Sequence, residues 1–258
     1  MKLNIVPARI GFQWALAGVR TFFRQPLALA GLFFMFMGSL TVLSLVPFIG
    51  GLLALMLLPA ATLGLMAATR DATQGKFPMP SRLLTAFRES PDRGRSMWVL
   101  GALYALIFLG ILALSALADG GKFAKAYFAG GMGAEQLGQA DFRLAIWTTL
   151  LLYVPVSMLF WHAPALLHWH GLPPAKSLFF SFIACVRNWR AMLLYGLAWF
   201  AMLIGISSIM GILMASLLGP GVVQSAMPPL AMLVAAMFFT SIYFSYIGTF
   251  ESNPESEP

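Results

Sequence analysis

Six long apolar runs without a single Asp, Glu, Lys or Arg constrain this chain more than any other feature of its sequence. A membrane-spanning helix needs about 20 residues, within a range of roughly 17 to 25, to cross the hydrocarbon core of a bilayer. We therefore predict an all-α integral membrane protein with six transmembrane helices. The predicted helices lie at residues 27–46, 52–69, 97–118, 144–167, 191–217 and 230–247.

The composition is typical of a chain that lipid, rather than water, solvates. Of the 258 residues, 60% are hydrophobic and 10% are charged, whereas about 25% are charged in a soluble domain. The net charge of +7 does not indicate nucleic-acid binding, because the charges lie between the apolar runs. We expect no cleavable signal peptide, since the first long run begins only at Leu27. The single Cys185 excludes an internal disulfide.

The distribution of basic residues predicts the orientation. With six spans, one side of the membrane receives both termini and the segments 70–95 and 168–190. That side holds 13 of the 16 Arg and Lys residues. Basic residues are enriched in cytoplasmic loops, so we predict a multi-pass protein of the bacterial inner membrane with both termini in the cytoplasm.

Three segments of the chain align with one another. Each opens with a proline, continues as an amphipathic stretch and carries an arginine 17 residues after the proline. The aligned residues are Pro7, Pro78 and Pro173, followed by Arg24, Arg95 and Arg190. Each copy is followed by two spans, which indicates an internal repeat.

From this alignment we predict one six-span membrane domain over residues 1–250. It consists of three pseudo-repeats at about 7–69, 78–167 and 173–247, each preceded by an amphipathic interfacial helix on the cytoplasmic side. The residues 251–258 form an acidic tail that we expect to be disordered.

Several motifs resemble those of an uncharacterised family of proteobacterial inner-membrane proteins. The family is more distantly similar to YciC-like proteins and to the membrane domain of some glycerophosphodiester phosphodiesterases. The resemblance covers nearly the whole chain and implies a six-helix membrane protein without an established activity or a catalytic residue. The motifs are GKFP (75–78), GLPP (171–174), TFFRQPLALAGLFFMF (21–36), FWHAPALLHWHG (160–171) and AAMFFTSIYFS (235–245).

The histidines are the main candidates for a chemical site. His162, His168 and His170, with Cys185, are the only soft metal ligands, but their spacing lacks the i, i+4 pattern of a helical zinc site. We therefore predict no metal and no cofactor. His162 is a possible buried polar site, because ionisable groups at membrane depth are often functional. A plain hydrogen bond to a backbone carbonyl beside Pro164 is the simpler interpretation.

No sequence motif predicts an enzyme. The glycine-rich loop at 119–141 lacks the Gly-Lys-Ser/Thr of a phosphate-binding loop, and no serine lies in a Ser–His–carboxylate pattern. The spans contain no carboxylate or basic residue of the kind that coupled transporters use as relays.

We therefore expect a non-enzymatic protein that acts as a lipid-contacting scaffold or as a partner of other membrane proteins. The alternative is a passive transporter or channel for an apolar or lipid-like molecule, formed by spans that Pro59, Pro155 and Pro164 break. The expected partners are membrane lipids, including anionic headgroups. The candidate headgroup contacts are Arg24, Arg95, Arg190, Lys176 and Arg187.

Overall fold

The fold is almost entirely helical. The structure, a computed structural model, describes residues 2–47, 49–88, 90–129, 131 and 134–250. Of this part of the chain 88% is helical, and no β-strand occurs in it. The elements in chain order are α1 (Arg9–Arg24), α2 (Pro26–Ser44), α3 (Gly50–Thr73), a 3₁₀-helix (Pro80–Leu84), α4 (Thr85–Arg88), α5 (Pro91–Asp119), α6 (Lys122–Ala129), α7 (Ala134–Gly138), α8 (Ala140–Phe160), α9 (Ala163–His170), α10 (Pro174–Arg187), α11 (Trp189–Leu218) and α12 (Pro220–Phe250).

Six helical segments of the described chain are long and apolar enough to cross a membrane, which confirms the predicted fold class. They contain all six predicted apolar runs, apart from two residues at the end of the first. The segments are Pro26–Ser44, Gly50–Thr73, Pro91–Asp119, Ala140–His170, Trp189–Leu217 and Gly221–Phe250.

Two connections differ from the sequence-based expectation. The glycine-rich segment 119–141 contains the short helices α6 and α7 instead of an irregular loop. The uncharged segment 219–229, between the fifth and sixth apolar runs, predicts a short turn. This prediction is wrong, because α12 already begins at Pro220, directly after Gly219. Gly219 has a φ of 89°, which ends α11 in one residue, and the following proline has the fixed φ that suits the first turn of a helix.

The three predicted interfacial segments form different short elements. Residues 7–25 contain α1, and residues 173–190 contain α10. Residues 78–87 form a 3₁₀-helix that continues into α4, so this copy has less regular helix than the other two. The three-repeat architecture and the single domain stay predictions, and the acidic tail at 251–258 lies outside the described residues.

The contacts divide the chain into two units. The first unit contains the N-terminal segment to Gly38, the stretch Ala61–Ala86 and the chain from Ala184 onward. Its centre is the packing of α1 against α11 and α12. One face of α1 is buried at helical spacing, with Gly11, Ala15 and Gly18 alternating with large rings. These small residues let the helix backbones approach closely.

Two glycines of α1 are at the points of closest approach. A methyl group on Gly11 would collide with the carbonyl of Ala191 in α11, and one on Gly18 would collide with the Cα and Cβ of Ser241 in α12. Any side chain larger than hydrogen would therefore push α1 away from both partners.

Ser241 of α12 forms hydrogen bonds with polar groups of both α11 and α12. Its hydroxyl donates to the carbonyl of Phe238 (2.6 Å). The same oxygen accepts the hydroxyl of Tyr195 (2.5 Å) and the Nε1–H of Trp199 (3.0 Å). All these side-chain groups are buried, so the three bonds satisfy them without water.

The N-terminal segment closes the first unit. Asn4 donates its backbone N–H to the carbonyl of Thr249 (2.9 Å) near the end of α12. The two ends of the described chain therefore lie together. An even number of membrane crossings likewise places both chain ends on the same side of the membrane.

Elsewhere in the first unit, the 3₁₀-helix packs on α3. Gly64 lies over it, since a methyl group there would come within 2.7 Å of the Cα of Leu83. Arg82 forms a two-point ion pair with Asp71, with contacts of 2.5 and 3.0 Å. The second candidate span is therefore in close contact at Gly64 with the backbone of a segment outside the spans.

The second unit contains Ser39–Ala60 and Phe87–Ile183. Its centre is the pair α5 and α8, joined by aromatic rings. Tyr104 stacks on Phe108 and meets Phe160 edge to face, and its hydroxyl lies 3.2 Å from that of Tyr153. Asp119 ends α5, and its carboxylate accepts the N–H groups of Gly121 and of Phe123 in the first turn of α6.

We predict that Gly18→Leu destabilises the protein and Gly31→Leu does not. The first substitution forces a side chain into the backbone of α12, and overpacking of this kind costs about 1–3 kcal/mol. Gly31, in α2, has no neighbouring atom within 4 Å of the added group. Thermal unfolding of both variants in the same detergent measures the difference. Equal melting temperatures would contradict the close packing of α1 on α12.

Candidate functional site

The fourth predicted span is broken. α8 ends at Phe160 and α9 begins at Ala163, with His162 preceding α9 at φ −108° and ψ −10°. Pro164 lies in the first turn of α9, where its missing N–H is tolerated. Pro164 therefore lies at the start of a new helix, and two residues, Trp161 and His162, separate this helix from the end of α8.

A serine from another helix fills the break. In a regular α-helix the N–H of His162 would donate to the carbonyl of Met158. Here the hydroxyl of Ser181, in α10, lies between the two groups. It accepts the N–H of His162 at 2.9 Å and donates to the carbonyl of Met158 at 2.8 Å. A side chain inserted into the hydrogen-bond ladder is a known cause of helix bending.

The inserted hydroxyl matters because the break is fully buried. His162 and Ser181 are both inaccessible to solvent. An unsatisfied buried donor or acceptor costs about 1–3 kcal/mol. Ser181 removes that cost for one donor and one acceptor at once, and these two bonds stabilise the break between α8 and α9.

His162 and His168 are both buried, whereas His170 is exposed, and a polar site at His162 stays a prediction. Among the described residues, no group of three or more His, Cys, Asp or Glu side chains gathers as metal ligands would. Burial raises the pKa of the Cys185 thiol to about 12. A thiol binds metal or attacks a substrate as the thiolate, and burial disfavours this form of Cys185.

Sequence reasoning missed the polar face of α10. Its buried positions recur at helical spacing and carry small or polar side chains instead of large apolar ones. They are Ser177, Ser181, Ala184, Cys185 and, at the junction with α11, Asn188. The helical spacing of these small and polar residues could have predicted the buried face of α10. Small residues are easily overlooked, however, next to the large rings of Phe179 and Phe180.

Asn188 ties the N-terminal segment to the junction of α10 and α11. Its side-chain oxygen accepts the N–H of Val6 (2.9 Å). Its amide nitrogen donates to the carbonyls of Asn4 (3.0 Å) and Ala184 (3.1 Å). With only 2% of its surface exposed, this one side chain bonds backbone groups of both the N-terminal segment and α10.

The opposite face of α10 carries the candidate lipid contacts. Lys176 and Arg187 are exposed and lie eleven residues apart, which places them on one side of a helix. Phe179 is 58% exposed. The large apolar side chain therefore faces outward while the serines face inward, which is the reverse of a helix on a water-soluble protein.

The remaining candidate arginines are exposed but lie at different points of their elements. Arg24 is the last residue of α1, whereas Arg95 and Arg190 lie near the starts of α5 and α11. The guanidinium of Arg190 lies 5.3 Å from the ring centre of Trp189. An arginine stacked on an exposed tryptophan is suited to a membrane interface, where such rings are enriched.

Comparison with known proteins gives one informative match. The chain is 40% identical over 256 residues to a Burkholderia thailandensis protein named “Probable inner membrane protein”, with 97% of this chain and 94% of that protein covered. The chain belongs to the family of this inner membrane protein. No family model matches the chain, and no solved structure matches it. The match extends over both units and all six candidate spans, so it concerns the whole membrane-protein architecture.

We predict that Ser181→Ala destabilises the protein by about 1–3 kcal/mol, because two buried backbone groups lose their partner. Ser177→Ala is the matched control. Its hydroxyl is equally buried but bonds only the carbonyl of Pro174 in its own helix. Unfolding in detergent with increasing denaturant measures both variants. If Ser177→Ala costs as much as Ser181→Ala, the break in the fourth span does not depend on the bridging hydroxyl.

Proposed function

We propose that this protein is a non-enzymatic, multi-pass component of the bacterial inner membrane that holds lipid at its surface and serves as a scaffold for other membrane proteins. The observation that carries the proposal is the outward face of α10. Large apolar side chains lie there beside exposed basic residues, with Phe179 between Lys176 and Arg187. An apolar face flanked by cations fits the boundary between acyl chains and anionic headgroups.

The first helix supports the same proposal. Phe12 and Phe23 of α1 are 52% and 64% exposed, and Arg20 and Arg24 are exposed beside them. The opposite face of α1 is fully used in packing on α11 and α12. The exposed rings therefore suit contact with lipid or with another membrane protein.

The packing of the spans favours a scaffold over a conduit. The break in the fourth span would be the natural place for a carbonyl-lined ion site. Its groups at Met158 and His162 already bond Ser181. Gly101 of α5 also lies so close to Met56 that an added methyl group would collide with the carbonyl there. A passive conduit for apolar molecules is therefore the weaker candidate.

The proposal also includes the orientation of the protein in the membrane and its distant relationship to two families. We place both termini in the cytoplasm, since most basic residues lie on the side of the chain ends. The distant relationship to YciC-like proteins and to the phosphodiesterase membrane domain rests on the sequence motifs.

Lipid retention tests the proposal. The protein is purified from bacterial membranes in mild detergent and analysed by native mass spectrometry. We expect bound phospholipid on the intact chain. Neutralising Lys176, Arg187 and Arg190 to glutamine removes roughly 3 kcal/mol of attraction to anionic lipid, at about 1 kcal/mol per basic residue. Anionic lipid should then be lost first.

The control neutralises three cations elsewhere, Lys122, Lys125 and Arg143. This variant has the same net charge as the first one and should keep its anionic lipid. If the two triple variants retain lipid equally, or if the unaltered protein carries neither lipid nor another protein, the proposed function is wrong.

A further inference from the structure

A cavity of about 330 Å³ opens in the second unit, at the polar ends of α5 and α9. One wall consists of the start of α5, with Ser90, Asp92, Arg93 and Ser96. The other wall is formed by Leu167 at the end of α9 and by residues 171–173 of the turn into α10. Ligand-binding cavities measure about 300–1,000 Å³, so this one fits a small group and not a whole lipid.

The cavity lies where a phospholipid headgroup would be. Both helices that form it belong to candidate spans, Pro91–Asp119 and Ala140–His170. The cavity is at the end of each span, which is the level of the headgroup layer. Exposed apolar side chains of α5 follow directly after the cavity. Trp98 and Val99, two and three residues after Ser96, are 41% and 46% exposed. A headgroup in the cavity would have its acyl chains beside this surface.

The lining combines both signs of charge. The guanidinium of Arg93 matches phosphate oxygens, for which arginine supplies charge-assisted, two-point hydrogen bonds. Ser90 and Ser96 add hydroxyl donors, and the side chain of Ser90 does not cap α5. The carboxylate of Asp92 accepts hydrogen bonds from an ammonium group and repels a second anion. A purely anionic ligand would have no partner for Asp92.

We propose that this cavity binds the zwitterionic headgroup of phosphatidylethanolamine. Arg93 and the two serines hold the phosphate, and Asp92 holds the ammonium. The inference rests on the proposed lipid-contacting function but is more specific, since it assigns one lipid class to one site. It also separates this site from the basic face of α10, which carries no carboxylate and suits anionic lipid.

Competition between defined lipids tests the site. The full chain is placed in nanodiscs of phosphatidylethanolamine and phosphatidylglycerol in equal amounts, and retained lipid is counted by native mass spectrometry. We expect the ethanolamine lipid to be enriched. Asp92→Asn should abolish this preference, and Arg93→Gln should lower retention of the ethanolamine lipid about tenfold, as expected for the loss of one charged hydrogen bond.

Two controls make the result specific. Arg88→Gln removes the same charge from an exposed position at the end of α4, outside the cavity, and should change nothing. Arg93→Lys keeps the charge and should restore part of the retention. Melting temperatures of all variants confirm that they are folded.

The outcomes separate this site from the general function. A preference that survives Asp92→Asn, or an equal loss in Arg88→Gln, overturns the headgroup site. Displacement of the lipid by inorganic phosphate or free phosphoethanolamine at low concentration would show a soluble ligand and would also overturn it. Lipid bound without any preference rejects the site but leaves the proposed function intact, whereas the absence of all bound lipid rejects both.

Discussion

The hydrocarbon interior of a membrane offers no water to a backbone N–H or carbonyl, and most of this structure follows from that constraint. A helix satisfies its own backbone groups, which is why six apolar runs become six long helices. Where the ladder is interrupted, a side chain has to replace the missing bond. Ser181 does so at the break between α8 and α9. Just before α11, the side chain of Asn188 bonds backbone groups of the N-terminal segment, which has no helical ladder of its own.

The same constraint changes which side chains form the closest contacts between helices. Large apolar side chains such as Phe33, Leu100 and Phe142 are buried here as in a soluble protein, but small and polar ones fill many of the close contacts between helices. Gly11 and Gly18 let α1 approach α11 and α12, and Ser181 is buried while Phe179 is exposed. Hydrophobic burial cannot hold helices together in lipid, so close packing and internal hydrogen bonds take over. The exposed rings are then available for lipid, which is the basis of the proposed function.

The sequence predicted the fold class because the length and charge of apolar runs depend on local composition alone. Of the three prolines at which the sequence suggested broken spans, only Pro164 lies at a break, whereas Pro59 and Pro155 lie inside continuous helices. Sequence reasoning missed α6 and α7, whose residues look like a loop because glycines separate them. Ser181 could not be found in this way, since its role depends on Met158 and His162, which lie 23 and 19 residues away. The predicted turn at 219–229 failed because prolines at the start of a helix look the same in sequence as prolines in a loop.

Cysteine labelling in intact cells tests most directly that six helices cross the membrane with both chain ends on the cytoplasmic side. Cys185 is the only native cysteine and is buried. It is replaced by alanine, and single cysteines are then introduced in turn at Lys2, Lys125 and Ser252. A membrane-impermeant maleimide applied to spheroplasts should label Lys125→Cys alone, and it should reach Lys2→Cys and Ser252→Cys only after the membrane is opened. Labelling of one terminus but not the other in sealed spheroplasts would contradict six crossings and the pairing of Asn4 with Thr249.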